Sequence, residues 1–120
     1  MNELTQTLQD EFKDKDTAHI YVNEFLNANI ATQIKVLREQ RDLTQKDLAS
    51  ITGMEQSRIS LLENINYDKW TLSTLKKFAE AFDVALKVTF VPFTERIKDI
   101  VNFDRESLET LSREDDLASV

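Results

Sequence analysis

QKDLASITGMEQSRISLLEN, residues 45–64, contains the only glycine of a 120-residue chain, Gly53, between two stretches patterned as helices. Just upstream, Thr44 is placed to cap a helix and Asp47 stands at its third position, a close relative of the capping box. Leu43 and Leu48 can close a hydrophobic staple over the same turn. The helix so opened runs to about Thr52 and stops at Gly53, because glycine takes a left-handed C-cap without steric cost. After three residues of turn, QSRISLLEN resumes the 3.6-residue period with Ile59 and Leu62 inward. The stretch reads as two short helices joined by one sharp turn.

Working outward, TAHIYVNEFLNANIATQIKVLREQR follows Asp16, which reads as an N-cap, and keeps Val22, Leu26, Ile30, Ile34 and Leu37 at helical spacing. This is one long helix or two, with a bend near Asn27–Asn29, where Ala28 lies between two weak helix formers. Downstream, Thr71 caps LSTLKKFAEAF, whose Leu72, Leu75, Phe78, Ala79 and Phe82 form a buried stripe. Beyond Asp83 the period changes to two: Leu86, Val88 and Phe90 alternate with Lys87, Thr89 and Val91 until Pro92. That alternation predicts a strand over 85–91. The tail from Thr94 has one short apolar cluster and then little to anchor it, so a solvated, partly disordered end is expected. The chain divides into an acidic N-terminal extension leading into a helix (1–27), a helical core (28–84), a strand (85–93) and an acidic tail (94–120). No internal repeat or low-complexity segment interrupts it.

Composition removes several function classes. With 41% hydrophobic residues, the chain suits one compact domain with a modest core. No run of about 18 apolar residues suggests a membrane span, and the acidic, polar MNELTQTLQDEFKDKD is no signal peptide, so a cytoplasmic location is expected. The absence of cysteine excludes disulfides and thiolate metal sites. His19 alone cannot supply a zinc site or histidine-based catalysis, and one glycine cannot build a phosphate loop. No enzyme activity, cofactor or metal is expected. The net charge of −7 argues superficially against nucleic acid. Its distribution does not: residues 1–27 hold six acids and two bases, and residues 94–120 hold eight acids and four bases. The intervening residues 28–93 hold nine bases and eight acids, so the centre is free to present a weakly positive face.

IKVLREQRDLTQKDLASITGMEQSRISLLEN carries, in order, LR–x–x–R, TQ–x–x–LA and G–x–x–Q–x–x–IS–x–x–E–N. It resembles the helix-turn-helix domain shared by lambda repressor, Cro and the Xre-like bacterial regulators, over about residues 29 to 84. The resemblance implies a mainly α fold of about four to five helices, with the helix after Gly53 lying in the major groove. The strand expected at 85–91 stands where the family has a fifth helix. In that it is similar to the HipB-type antitoxins, whose strand pairs across a dimer, so Leu86, Val88 and Phe90 are expected at a dimer interface.

Site roles follow by correspondence. Gln56, Ser57 and Arg58, on the exposed first turn of the second helix, are candidates to read bases. Gln can bond adenine bidentately, Arg can pair with guanine, and Leu61 can touch a thymine methyl. Glu55 is a departure, since an acid near phosphates repels; it either accepts from a cytosine amino group or favours the helix N-terminus electrostatically. Gln45, Ser60, Asn64 and Lys69 are candidate backbone contacts, while Arg41 and Lys46 are either phosphate contacts or ordinary helix charge. The resemblance pairs Arg38 with Glu63 as an internal ion pair that holds the reading helix. Trp70 and Tyr67 either stack near the DNA or, as ordinary packing would have it, cover the core. The implied function is a cytoplasmic DNA-binding regulator: a dimeric repressor of an inverted-repeat operator. The alternatives are an antitoxin that also clamps a toxin with its acidic ends, or an interaction module that has kept only the fold.

Overall fold

A computed structural model describes residues 2–118. The chain forms α1 (Glu3–Glu11), α2 (Lys15–Gln40), α3 (Gln45–Thr52), α4 (Gln56–Leu62), α5 (Leu72–Phe82), α6 (Phe93–Val101), α7 (Arg105–Leu108) and α8 (Arg113–Ala118). The alternative left open for residues 16–41 resolves to a single helix. The weak formers Asn27 and Asn29 do not break α2, because the apolar stripe continues past them into the buried Ala31, Ile34 and Leu37. Its cap is Asp14 rather than Asp16: the Asp14 carboxylate accepts the Thr17 backbone N–H at 2.9 Å and its hydroxyl at 2.7 Å. Those bonds, the backbone one first, hold the Asp14 carboxyl below its ordinary pKa.

The centre packs as the periodicity requires. Ile34 and Leu37 from α2, Leu48 and Ala49 from α3, Ile59 and Leu62 from α4, and Phe78 and Phe82 from α5 make one buried cluster. Each large side chain buried there contributes about 1.5–3 kcal/mol. Tyr67 and Trp70 pack against this cluster with their rings edge-on at 4.9 Å, which answers their role: they cover the core.

Three departures from the sequence reading concern the ends. First, no strand forms among the described residues, and residues 84–92 run as an irregular strap between α5 and α6. The expected fold of four to five helices plus a C-terminal strand paired across a dimer is therefore corrected to an all-helical one. Alternation of apolar residues is necessary for a strand but not sufficient, since a ladder requires a neighbour to accept and donate its hydrogen bonds. The fold offers none here, and Leu86, Val88 and Phe90 are exposed. Second, the N-terminal extension folds: α1 lies on α6, with Leu8 and Ile97 buried. Phe12 meets Tyr21 and Phe93 edge-on at 5.4 and 5.8 Å, and Arg96 stacks over Phe25 at 5.0 Å. Third, the tail returns across α2 and α5. Leu108 is buried, Gln33 Nε2 donates to its carbonyl at 3.1 Å, and Arg105 pairs with Glu39 at 3.0 Å. Arg113 reaches Asp83 twice, by its backbone N–H to the carbonyl at 2.6 Å and by Nε to the carboxylate at 3.1 Å. The expectation of one apolar cluster and a solvated remainder, drawn from the composition of the tail, leaves out these polar anchors.

Candidate nucleic-acid interface

The turn that presents α4 is built from local chemistry. Thr44 Oγ1 accepts the Asp47 backbone N–H at 3.0 Å, and the Asp47 carboxylate accepts the Thr44 N–H at 2.9 Å, a complete capping box. The Thr44 backbone bond, then its side chain, holds the Asp47 carboxyl below its ordinary value. Gly53 closes α3 at φ 73°, in the left-handed region that favours glycine, and its N–H bonds back to Ala49 O. This is where the chain's one free backbone position is used. After Met54 and Glu55, α4 begins at Gln56.

α4 is fixed from behind at three points. Ile59 and Leu62 are wholly buried, and Glu63, its C-cap, is held by Arg38. Arg38 Nε donates to Glu63 Oε2 at 2.7 Å and Nη2 to Oε1 at 3.1 Å, while Nη1 donates to Leu43 O at 2.8 Å. Gln45 Nε2 adds a third donor to the carboxylate at 3.3 Å. The Arg38 and Glu63 side chains are only 12% and 5% exposed, and the bond to Glu63 pushes the Arg38 guanidinium up. Charge-assisted forks of this kind fix geometry as well as energy.

With that face pinned, the helical repeat points Ser57 and Leu61 directly away from the core. Ser60 stands beside them, and Gln56 and Arg58 occupy the two edges of the exposed arc. Leu61 is 48% exposed, and the Arg58 side chain makes no hydrogen bond or ion pair among the described residues. The Lys69 side chain in the following loop is likewise exposed and without such a partner, although its carbonyl accepts the Tyr67 hydroxyl at 3.1 Å; Lys46 on α3 is exposed too. At about 10 Å, α4 has the length to span a few base pairs. Glu55 is its N-cap residue but makes no side-chain cap bond.

Three candidates lie elsewhere or are otherwise engaged. Gln45 is half-buried and turned to Glu63. Asn64 Oδ1 accepts the Asn66 N–H at 2.8 Å and shapes its own loop. Arg41 is turned inward: Nη2 donates to Phe82 O at 3.0 Å and Thr110 O at 3.1 Å, Nη1 to Leu37 O at 3.3 Å, and its guanidinium lies 5.5 Å from the Phe82 ring. Burial pushes its pKa down. No sequence signal pointed to Phe82 and Thr110 as partners of Arg41, because they lie 41 and 69 residues away.

Two short helices at a tight turn, the second exposing a polar arc and the first opened by a capping box, define a helix-turn-helix DNA-binding module. A family profile described as a helix-turn-helix domain matches residues 8–90, well over half of the chain, and the chain belongs to that family. It is in general terms a DNA-binding regulator. No curated protein and no solved structure matches it significantly. Among the described residues no helix is long and apolar enough to cross a membrane.

Proposed function

We propose that the protein is a dimeric, sequence-specific transcriptional regulator, a repressor, that reads an inverted repeat through α4. The observation that carries this reading is the contrast between the two faces of α4. One is locked by Ile59, Leu62 and the Arg38–Glu63 fork; the other offers Gln56, Ser57, Arg58 and Leu61, with no core role. The ordered match of the motif to Xre-like and Cro-type regulators supports the same assignment. Lys46, Ser60 and Lys69 flank the reading turn as phosphate contacts, and Glu55 either accepts from a cytosine or excludes a neighbouring phosphate.

Both the short reading helix and the exposed strap favour a second copy. One short helix on a nearly neutral centre reads a half-site weakly, and two copies in register double the contact. The surface for it is the strap. Phe90 is fully exposed and Val88 is 69% exposed, beside an open groove of about 680 Å³ floored by Leu75, Phe78 and Phe82. Leu26, Leu72, Leu86, Val88, Phe90 and Val91 all line that groove and are exposed. Together they form an exposed, contiguous apolar patch, the kind of surface that marks a protein–protein contact. The antitoxin alternative has less support, because segment 104–113 is bound to α2 and α5 rather than free to clamp a toxin.

The test is selection of bound sequences from a random DNA pool, then titration of the selected and scrambled duplexes at several salt concentrations. Arg58→Ala should cost about 1–3 kcal/mol on the selected duplex and spare the scrambled one. Lys69→Ala should weaken both and flatten the salt slope by about one unit. If Gln56→Ala and Arg58→Ala both retain full preference, α4 is not the reader.

A further inference from the structure

We propose that Arg41 and the tail segment 104–113 form a brace that positions the reading helix, so that the tail belongs to the DNA-reading machinery. The proposal rests on α4 being the reader. Its geometry begins at the end of α5, whose last carbonyls have no partners within the helix. Arg41 supplies one to Phe82 O, and the Arg113 backbone N–H supplies one to Asp83 O. The same guanidinium holds Thr110 O, and Gln40 Oε1 accepts the Thr110 N–H at 3.1 Å. Thr110 is thus gripped on both its backbone groups by the last residues of α2. Farther back, Gln33 and Glu39 hold Leu108 and Arg105. The tail is sewn along α2 and then tied across to α5.

The route to α4 is short. Arg38 and Arg41 leave the same last turn of α2, one toward Leu43 and Glu63, the other toward α5 and the tail. A turn that is fixed on its tail side holds Arg38 in register with Glu63, and Glu63 caps α4. Only arginine fits this position. Its planar fork reaches three carbonyls at once while lying on the Phe82 ring, which a lysine ammonium cannot do. The side chain that the motif offers as a phosphate contact acts instead from inside, as a positioning residue.

The experiment compares amide hydrogen exchange and DNA preference for the full-length protein and two full-length variants. Arg41→Met removes the keystone. Thr110→Pro removes the tail's own N–H and leaves α2 and α5 chemically intact, so it decides the matter if Arg41→Met folds poorly. In the absence of DNA, exchange at Leu62 and Glu63 should accelerate roughly 2- to 30-fold in either variant, the range exerted by residues along a packed network. Ile51 and Thr52 in α3 should change less. The ratio of selected to scrambled duplex affinity should fall by a similar factor, and Arg41→Lys should restore little of it. Faster exchange confined to residues 104–118, with α4 unchanged, would overturn the proposal, as would an equal acceleration everywhere. If the wild-type protein selects no DNA sequence, the assignment of α4 fails, while the exchange comparison still decides the brace.

Discussion

Replacing Arg38 with methionine keeps the volume of the side chain's stem and removes its fork. Glu63 then loses two of the three donors to its carboxylate and keeps only Gln45 Nε2 at 3.3 Å, on a side chain that is 5% exposed. Breaking a buried pair from one side typically costs about 3–5 kcal/mol, because the surviving charge is stranded. Gln45 relieves part of that by keeping its hydrogen bond to the carboxylate, so about 3 kcal/mol is expected. For a chain of this size the melting temperature should fall by roughly 10 °C. Replacing both partners, Arg38→Met with Glu63→Leu, strands no charge and should recover about 2 kcal/mol of the loss. Urea unfolding of wild type, both single variants and the double variant closes the cycle, provided the m-values agree. The double variant should still bind DNA poorly, since the polar fork that fixes the end of α4 against α2 is then gone and only the packing of Ile59 and Leu62 remains. Single-variant losses under about 1 kcal/mol, or losses that simply add, would show that the fork is ordinary surface charge and refute the reasoning.

Gly53→Ala should cost about 1 kcal/mol in thermal melts, from the left-handed backbone alone, because a Cβ there meets nothing within 4 Å; Gly53→Asn should cost less. A loss well above that, or none, would mean the turn does not depend on the φ of this residue. Phe90→Asp should convert dimers to monomers in light scattering without lowering monomer stability, since the ring is fully exposed; persistence of the dimer places the interface elsewhere. Acid should loosen the helix starts. The Asp14 and Asp47 carboxyls are depressed in the fold, so the stability they lend is complete above the unfolded pKa near 4 and is lost as pH falls through their lower folded values. Asp47→Asn should therefore flatten the stability–pH curve below about pH 4, and an unchanged slope would refute the capping role.

What the sequence by itself determined was local. Thr44, Asp47, Gly53 and Thr71 act on neighbours within four residues, so their roles as caps and turn-maker were legible without a fold. The helical stripes of α3, α4 and α5 likewise named Leu48, Ile59, Leu62, Phe78 and Phe82 as buried. Leu72, expected in the stripe of α5, is instead 54% exposed, because it sits at the first position of the helix beside an open groove. The exposed arc of α4 followed from that pinned face by geometry alone. Tertiary structure decided everything that depended on a distant partner. Leu86, Val88 and Phe90 alternate as a strand would, but pairing is a property of two segments, and among the described residues no second strand runs alongside. Arg41 had the charge of a phosphate contact and became an internal tie because Phe82 and Thr110 arrive beside it. The tail looked unanchored because its apolar residues are few. It is held instead by carbonyls and amides, and those are present at every residue, so no composition or periodicity marks which of them will be used.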